Sequence, residues 1–475
     1  MSDTLDPLSK ERGSENTADV SEDMNGDVYV QEMDEHMVSL RRAIEDEDVY
    51  ALKAVVEELS EGEMADLFQK LDRGTRRDFL EKYADLLEPD FYAHLDYELR
   101  GNILSDMPPA KVARIISELD SDDALNLITD LDPAFQKEVL KKLSSKDRIA
   151  IEEGLTYPEE SAGRLMQREY VAIPQFWTVG KTIDYLRAAA EDLPEEFYDL
   201  IVIDPYYHVV GEIPLNRLVR AKRSEKIKEI SLEDIHIIPA TMDQEDVAHL
   251  FRREDLGSAP VVDEDGRLIG VITIDDVIDV IDEEAQEDIL KLAGVEESSL
   301  YSDLWPTTAG RFRWLALNLV TAVFASYIIS FFQGTIKDIV ALAVLMPIVA
   351  SMGGNAGTQT MTVAVRALAT RELSRSNMFR IIGKETLMGV LNGAGFAVIM
   401  GLIAWGWFHN PMLGFVIGVS MIMNLICAGL FGASIPLILD KFGADPAVSS
   451  SIFLTTVTDV VGFLGFLGLA SLFLL

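Results

Sequence analysis

The sequence has little cysteine and little histidine. Its 475 residues include one cysteine, Cys427, and six histidines. A single cysteine excludes an intramolecular disulfide framework and fits a reducing compartment. The histidines have no metal-ligand spacing, and no Ser/His/Asp or Cys/His arrangement accompanies them. A phosphate-binding loop of the Gly-x-x-x-x-Gly-Lys type is also lacking, so we expect neither an enzyme nor work driven by ATP hydrolysis.

Before the C-terminal third, basic residues are greatly outnumbered by acids. From Pro306 onward there are nine bases and six acids, a charge of +3, whereas the preceding residues carry 32 bases and 73 acids, a charge of −41. A surface this acidic does not bind nucleic acid, and its natural partners are cations. The first residues lack the apolar core of a signal peptide, so we expect a disordered acidic tail over residues 1–32.

Long apolar runs are confined to the C-terminal third. Five are long enough to span a bilayer: about Trp314–Phe332, Ile339–Val365, Thr386–Phe408, Leu413–Leu439 and Val448–Leu475. Bases concentrate before the first run and between the second and third, which predicts that these regions are cytoplasmic. Five crossings then place the N-terminus in the cytoplasm and the C-terminus on the outer side of the cell membrane. We therefore expect a multi-pass membrane domain over residues 307–475.

Residues 33–155 have apolar positions at helical spacing, separated by acids. A loose repeat is visible in "EGEMADLFQKLDRGTRRDFL", "PPAKVARIISELDSDDALNLI" and "DPAFQKEVLKKLSSKDRIAI". Units of this kind stack because none buries its apolar face alone. The pattern predicts an α-helical repeat domain.

Two further segments each predict a strand, a helix, two strands joined by a turn, and a last helix. They cover residues 156–225 and 226–283, with turns at Asp204–Tyr207 and Asp263–Gly266. Both segments resemble CBS domains, α+β modules that pair and often bind adenosine nucleotides. The resemblance implies a ribose-binding role for Thr273 and Asp276 in the second copy, but the first copy has Pro214 and Arg217 at the matching places. An adenine nucleotide at the pair is therefore doubtful, and a pair that serves only for dimerisation remains an alternative.

The polar, acid-rich segment over residues 284–306 joins the CBS pair to the first span. It has no Gly/Ser tract, so we expect a rigid connecting helix and no flexible linker. The predicted fold class is thus a multidomain membrane protein: an α-helical repeat domain, a tandem CBS pair, a connecting helix and a five-helix transmembrane domain.

Two spans carry polar groups that lipid cannot satisfy. The second contains "PIVASMGGNAGTQ", with Asn355 among glycines, and the last contains Asp459, which we expect to be the only acid inside a span. Mg²⁺ prefers oxygen ligands and keeps most of its water, so a carboxylate, an amide and hydroxyl groups suit a pore for it. We predict Asp459, Asn355 and Thr455 as pore ligands, with Thr456, Thr458 and carbonyls near Gly462 as further contacts. Helix packing without an ion remains the alternative.

In this order, the domains resemble those of the MgtE family of magnesium transporters. "PIVASMGGNAGTQ", "TTVTDVVGF" and "YPEESAGRLMQREYVAI" resemble that family's motifs. The resemblance implies a homodimer in the lipid bilayer that encloses a Mg²⁺ pore and closes when internal Mg²⁺ is high. It also implies regulatory Mg²⁺ sites at Asp255, Asp276, Asp279, Glu284, Glu287 and Asp288.

Acids on several mobile modules also repel one another until a cation bridges them. On this ground we add four residues as regulatory ligands: Asp122, Asp123, Asp243 and Glu245. Three alternatives stay open: a CBS-regulated transporter of another divalent cation such as Co²⁺ or Mn²⁺, a CBS-regulated anion channel, and a membrane-anchored CBS sensor without a pore.

Overall fold

The computed structural model describes residues 19–191, 193–194, 197–295, 301–302, 304–373 and 377–475. The chain divides into two compact units. The first consists of the residues up to Val247 and of Glu254–Asp276, and the second of Ala248–Arg253 and Val277–Leu475.

The first unit begins with one long helix and nine short ones. They are α1 (Asp19–Glu45), α2 (Val49–Glu58), α3 (Glu61–Gln69), α4 (Arg73–Tyr83), α5 (Asp90–Ala93), α6 (Tyr97–Ser105), α7 (Pro109–Glu118), α8 (Ser121–Thr129), α9 (Pro133–Leu140) and α10 (Ser145–Gly154). Each predicted repeat forms two of these helices, and Asp or Ser side chains cap most of their starts. Ser60, for example, forms a capping box with Glu63. The helical repeat fold is confirmed.

Of the tail predicted over residues 1–32, residues 1–18 lie outside the described residues, and the remainder is helical in the structure. Residues 19–32 belong to α1. Met33, Leu40 and Ala43, which follow the predicted tail on the same helix, are buried at helical spacing. A buried apolar stripe stabilises an otherwise polar helix.

The CBS pair consists of two three-stranded sheets with the same topology. The first contains β1 (Ala172–Pro174), β2 (Asp199–Ile203) and β3 (Val209–Pro214), and the second β4 (Ile238–Pro239), β5 (Ser258–Val262) and β6 (Leu268–Thr273). In each sheet the first strand is parallel to the second and the second antiparallel to the third. The helices of this region are α11 (Ala162–Leu165), α12 (Val179–Ala188), α13 (Leu215–Arg220), α14 (Ile227–Ile230) and α15 (Gln244–Glu254).

The two β-turns of the CBS pair have the same chemistry. Asp204 Oδ1 accepts a hydrogen bond from the backbone N–H of His208 at 2.9 Å, and Asp263 Oδ1 accepts one from that of Arg267 at 2.8 Å. Tyr207 and Gly266 occupy the left-handed region at φ 69° and 79°. This repeated turn confirms that both copies have the CBS fold.

A long helix, α16 (Ile274–Leu292), follows β6. The connecting helix predicted over 284–306 therefore ends at Leu292. Gly294 lies beyond it at φ +70° and the backbone N–H of Val295 bonds back to Leu290, as in a Schellman motif. Residues 296–300 and 303 are outside the described residues, and the predicted domain limits themselves remain predictions.

Five helices of the second unit are long and apolar enough to cross a membrane. They are α17 (Leu304–Ser330), α19 (Ala341–Ala369), α20 (Met378–Phe408), α21 (Pro411–Lys441) and α22 (Pro446–Phe473), with the short α18 (Gln333–Asp338) between the first two. α21 is the most buried of the five and packs against α19, α20 and α22. The five predicted spans are confirmed.

Glycines bring the backbones of these helices together. A Cβ at Gly414 would lie 2.5 Å from the carbonyl oxygen of Gly401, and one at Gly432 would lie 2.8 Å from that of Gly357. Such close approach is typical of helix pairs in membranes, where van der Waals contact replaces the hydrophobic effect as the driving force.

Candidate ion pathway and regulatory acids

The polar residues of α19 form one exposed face of the described unit. Ser351, Asn355, Thr358, Gln359 and Thr362 are exposed and recur at spacings of three or four residues. On the other side of the helix, Gly353, Gly357 and Thr360 are buried against neighbouring helices. Because lipid offers no hydrogen bonds, a polar face on a spanning helix requires water or another protein surface. The predicted pore residue Asn355 lies on this face.

The predicted pore residues of α22 lie in unequal surroundings. Asp459 is half-buried and Thr455 is exposed, whereas Thr458 is 0% exposed. The hydroxyl of Thr455 donates to the Ser451 carbonyl at 2.9 Å, so its oxygen keeps lone pairs that can accept from water. Thr458 Oγ1 donates within the helix to the carbonyls of Leu454 and Thr455. The expectation that Thr458 contacts the ion is therefore wrong, because its side chain faces the helix packing.

The helices that carry Asn355 and Asp459 are neighbours. α19 packs on α22, and Gly357 of α19 lies so close to Leu454 of α22 that a Cβ there would be 3.0 Å from its methyl carbon. No base among the described residues pairs with the Asp459 carboxylate. The structure thus brings an amide-bearing polar face and an unpaired acid onto adjacent helices.

A second acid is buried in one of the five long helices, just before the predicted span. α20 begins at Met378, ahead of the apolar run, so Glu385 lies within it and is 7% exposed. The helix thus extends beyond its hydrophobic segment, and Asp459 stays the only acid within the predicted spans. The backbone of Glu385 packs against Gly429 of α21, where a Cβ would meet its carbonyl oxygen at 2.6 Å.

In the first unit, the predicted regulatory acids Asp122 and Asp276 are close enough to repel each other. Asp122, at the first turn of α8, is 6% exposed, and burial, followed by repulsion from Asp276, raises its pKa well above the usual range. Burial raises the pKa of Asp276 to about 7, although the Thr273 hydroxyl, which donates to Asp276 Oδ2 at 2.8 Å, partly offsets this. A buried and a partly buried carboxylate in such surroundings bind a proton or a cation.

Asp123 and Asp120 add to this negative charge. Asp123 contributes to the raised pKa values of both Asp122 and Asp276. Burial, followed by repulsion from Glu169, raises the pKa of Asp120 to about 6. Glu169 was missed by sequence reasoning. Its Oε2 accepts from the Ser121 hydroxyl at 2.7 Å and so joins the helical domain to the first CBS copy.

The predicted acids on α15 and its flanks are exposed. Asp243 Oδ1 accepts from the backbone N–H of Glu245 at 2.9 Å, which is the geometry of a helix cap. Asp255 lies just after α15 at φ 53°, a left-handed position that Asp tolerates. Asp243, Glu245 and Asp255 all remain solvent-accessible.

The last of the predicted acids on α16 lie near a lysine that sequence reasoning missed. Asp279 is exposed, whereas Glu284, Glu287 and Asp288 are partly buried. Lys291 forms a salt bridge with Glu287 and another, at 2.9 Å, with Asp445. Burial lowers the pKa of Lys291, but hydrogen bonds to Asp445 and Glu287 outweigh this and raise it. The signal in the sequence was a lone lysine four residues after Glu287 in an acid-rich helix.

Within the described ranges, no three His, Cys, Asp or Glu side chains converge on a preformed metal site. The predicted regulatory ligands of a single chain are therefore grouped in pairs and along helices. A divalent cation would need movement of these groups, or water in its shell, to complete its coordination.

The doubtful nucleotide site is small. The cleft that contains Thr273, Asp199 and Ser258 has a volume of about 20 Å³, which is far below the few hundred Å³ of a typical ligand pocket. Ser258 Oγ donates to Asp199 Oδ2 at 2.7 Å and Thr273 is bonded to Asp276. Both hydroxyls are thus engaged within the protein.

Comparison with known proteins agrees with this architecture. Residues 346–469 match the MgtE family model, described as a divalent cation transporter, residues 59–160 match the MgtE intracellular N domain, and residues 227–283 match the CBS domain. The chain is 32% identical to the magnesium transporter MgtE of Bacillus subtilis over 93% of this chain and 98% of the relative. It is 34% identical to that of Thermus thermophilus over 92% of this chain and 98% of the relative.

A solved structure is also similar. The crystal structure of the cytosolic domain of the Mg²⁺ channel MgtE in complex with ATP is 32% identical in sequence and covers 51% of this chain and 99% of its own, with a TM-score of 0.48. The sequence identity, which extends over almost the whole chain, decides the relationship: the chain belongs to the MgtE family of magnesium transporters.

Proposed function

We propose that this protein is a homodimeric Mg²⁺ channel of the cell membrane, closed by Mg²⁺ bound to its acidic cytosolic modules. The observation that carries the proposal is the exposed polar face of α19 beside the unpaired acid of α22. The polar face of α19 and the carboxylate of α22 are both costly against lipid. Both are accounted for when two chains meet about a two-fold axis with water between them.

In this proposal the ion passes with most of its water. Asp459 supplies the charge that attracts the cation, and Asn355 and Thr455 supply neutral oxygens that accept hydrogen bonds from its water molecules. An ion held only through water leaves again quickly, as conduction requires. The carboxylate favours a cation over an anion, which speaks against the anion-channel alternative.

Regulation is proposed to use the same ion. Mg²⁺ at the acids of the first unit and of α16 removes their mutual repulsion, and α16 carries the resulting movement towards α22 as a shift in population. The bases around the connection between α19 and α20 support a cytoplasmic N-terminus. Nothing in the small Thr273 cleft favours a nucleotide.

The test is divalent-ion flux into liposomes that contain the purified full-length protein, followed with a trapped Mg²⁺ indicator. We expect Mg²⁺ uptake that falls sharply in Asn355→Leu, which keeps a similar volume but removes the amide oxygen. Val363→Leu, at another exposed position of α19, is the matched control and should conduct as the wild type does. Absence of flux in the wild type would favour a sensor without a pore, and faster flux of Co²⁺ or Mn²⁺ would favour a transporter of those ions.

A further inference from the structure

A buried asparagine lies where α19, α21 and α22 meet. Asn424 of α21 is 1% exposed, and its Nδ2 donates to the Val349 carbonyl of α19 at 2.8 Å. Ser420, Ser450 and Thr458, which are also buried in these helices, bond within their own helix, as Ser420 does to the Val416 carbonyl at 2.7 Å. Asn424 instead connects two helices, and its bond lies in a low-dielectric region where an amide without a partner is costly.

Two glycines make room for this side chain. A Cβ at Gly353 of α19 would lie 2.2 Å from Asn424 Nδ2, and a Cβ at Gly462 of α22 would lie 2.9 Å from the same atom. Any larger residue at either position would overlap the amide. Asn424 is therefore enclosed between α19 and α22, and both glycines belong to the polar motifs of their helices.

The hydrogen bond also fixes which way the amide points. A carbonyl oxygen only accepts, so the NH₂ group faces Val349 and Oδ1 faces away from it. Oδ1 is buried and has no hydrogen-bond partner among the described residues. A buried oxygen without a partner costs free energy, which the interhelical bond of the same amide helps to offset.

The bonded carbonyl lies next to the weak point of α19. Pro347 lies inside this helix and lacks an N–H, so the intrahelical ladder is interrupted two residues before Val349. The missing bond would end at the Ala343 carbonyl, and Asn424 bonds the helix from outside just beyond this gap, at Val349. Asn355 lies six residues beyond Val349 on the same helix, and Asp459 lies three residues before Gly462 on α22.

We propose that Asn424 is a positioning residue that fixes the separation of α19 and α22, and thereby the distance between Asn355 and the Asp459 carboxylate. The inference rests on the proposed channel function and deepens it. Asn424 does not contact the ion, since its side chain is enclosed by protein. By fixing the separation of α19 and α22, Asn424 determines whether the space between their polar groups matches the size of a hydrated Mg²⁺.

The experiment measures the Mg²⁺ concentration for half-maximal flux and the ratio of Mg²⁺ to Ca²⁺ flux in Asn424→Leu, which fills the space, and in Asn424→Ala, which empties it. We expect a rise of about tenfold in the half-maximal concentration and a loss of Mg²⁺ preference in both, because both lack the bond of an interhelical amide. Ser420→Ala, buried on the same helix without an interhelical bond, should match the wild type.

A cross between two sites separates the hydrogen bond from simple space filling. Gly353→Ala should weaken Mg²⁺ flux because its methyl group displaces the amide. The double variant Gly353→Ala with Asn424→Ala has no steric overlap but still lacks the interhelical hydrogen bond, so flux should stay low. Recovery in this double variant would overturn the inference, as would wild-type affinity and selectivity in Asn424→Leu.

Two further results are decisive. If both Asn424 variants fail to give folded dimers, the residue serves folding and not ion fit, and the inference is wrong. If the wild type itself carries no divalent flux, the proposed function fails instead, and it does so in a measurement that contains no variant.

Discussion

Lys291 Nζ lies 2.9 Å from Asp445 Oδ2 and joins the last turn of α16 to the start of α22. Asp445 also caps α22, because its Oδ1 accepts from the backbone N–H of Ala447 at 2.7 Å. Beside this ion pair, Leu292 packs on a cluster formed by Met361 and Leu454 together with neighbouring residues of α19 and α22. The helix that leaves the second CBS copy is thus bonded to the helix that carries Asp459.

This relationship predicts how Mg²⁺ sensitivity responds to loss of the pair. Lys291→Gln weakens the contact between α16 and α22, so we expect half-closure of the channel at an internal Mg²⁺ concentration about two- to fivefold higher, which is the effect of a partly exposed ion pair. Asp445→Asn should act in the same direction, since Asn still caps the helix. Flux measured at a series of internal Mg²⁺ concentrations checks this.

The double variant provides the control. Lys291→Gln with Asp445→Asn should shift the midpoint no further than one substitution alone, because both remove the same interaction. Strictly additive shifts would mean that the two residues act independently, and the contact would then have no part in closure.

A second prediction concerns the pore acid. Asp459→Ala should abolish Mg²⁺ flux and leave folding and dimerisation intact, because Asp459 is unpaired among the described residues and its loss leaves no base without a partner. Thr455→Val and Thr458→Val form a matched pair within one turn. Removing the hydroxyl oxygen of the exposed Thr455 should lower Mg²⁺ flux, whereas removing that of the buried Thr458 should have little effect. Wild-type flux in Asp459→Ala would remove the basis for the proposed ion pathway.

Much of the fold could be predicted from the sequence, because its signals are local. The five apolar runs, the repeated turns at Asp204 and Asp263, and the polar stretch around Asn355 all follow from composition and spacing. The start of α20 and the end of α16 could not be predicted as well. Glu385 continues a helix beyond its hydrophobic segment, and Gly294 ends one within a charged segment. Boundaries of this kind depend on packing and backbone conformation more than on hydropathy.

The candidate sites were predicted by residue type but not by partner. Asp459 and Asp276 were found as acids in unusual places. Lys291, Glu169 and Asn424 were missed because each acts through a residue distant in the sequence: Asp445, Ser121 and Val349. A single sequence contains no record of such long-range pairs.

The third prediction is a dependence on pH. The pKa of Asp276 is raised to about 7 from an ordinary value of 3.8, so between these values the folded protein binds more protons than the unfolded chain does. Stability from this group is therefore present at low pH and is lost as pH rises through 7. Protons and Mg²⁺ compete for the same carboxylates, so closure should require more internal Mg²⁺ at pH 6 than at pH 8.

Asp276→Asn should remove part of this dependence and should make the protein more resistant to heat at pH 8 without Mg²⁺. Asp243→Asn, at an exposed acid that caps α15, is the comparison and should keep the wild-type pH profile. A midpoint for Mg²⁺ that is the same at pH 6 and pH 8 in the wild type would exclude this acid pair as a regulatory site.

The last prediction removes the acidic modules altogether. A protein that begins after about Asp282 keeps the end of α16, with Lys291 and its partners, and all five membrane helices, but it lacks the helical and CBS domains. If Mg²⁺ closes the channel by relieving repulsion among those domains, the truncated protein should conduct at any internal Mg²⁺ concentration. Single neutralisations test this less well, because each removes a ligand and a repulsion together. Adding Asp459→Ala to the truncated protein should stop the flux and so identify it as passage through the same pore. A truncated channel that internal Mg²⁺ still closes would contradict a sensor in the helical and CBS domains and would place it in the residues that remain, with Asp445 and the partly buried acids at the end of α16 as the first groups to examine.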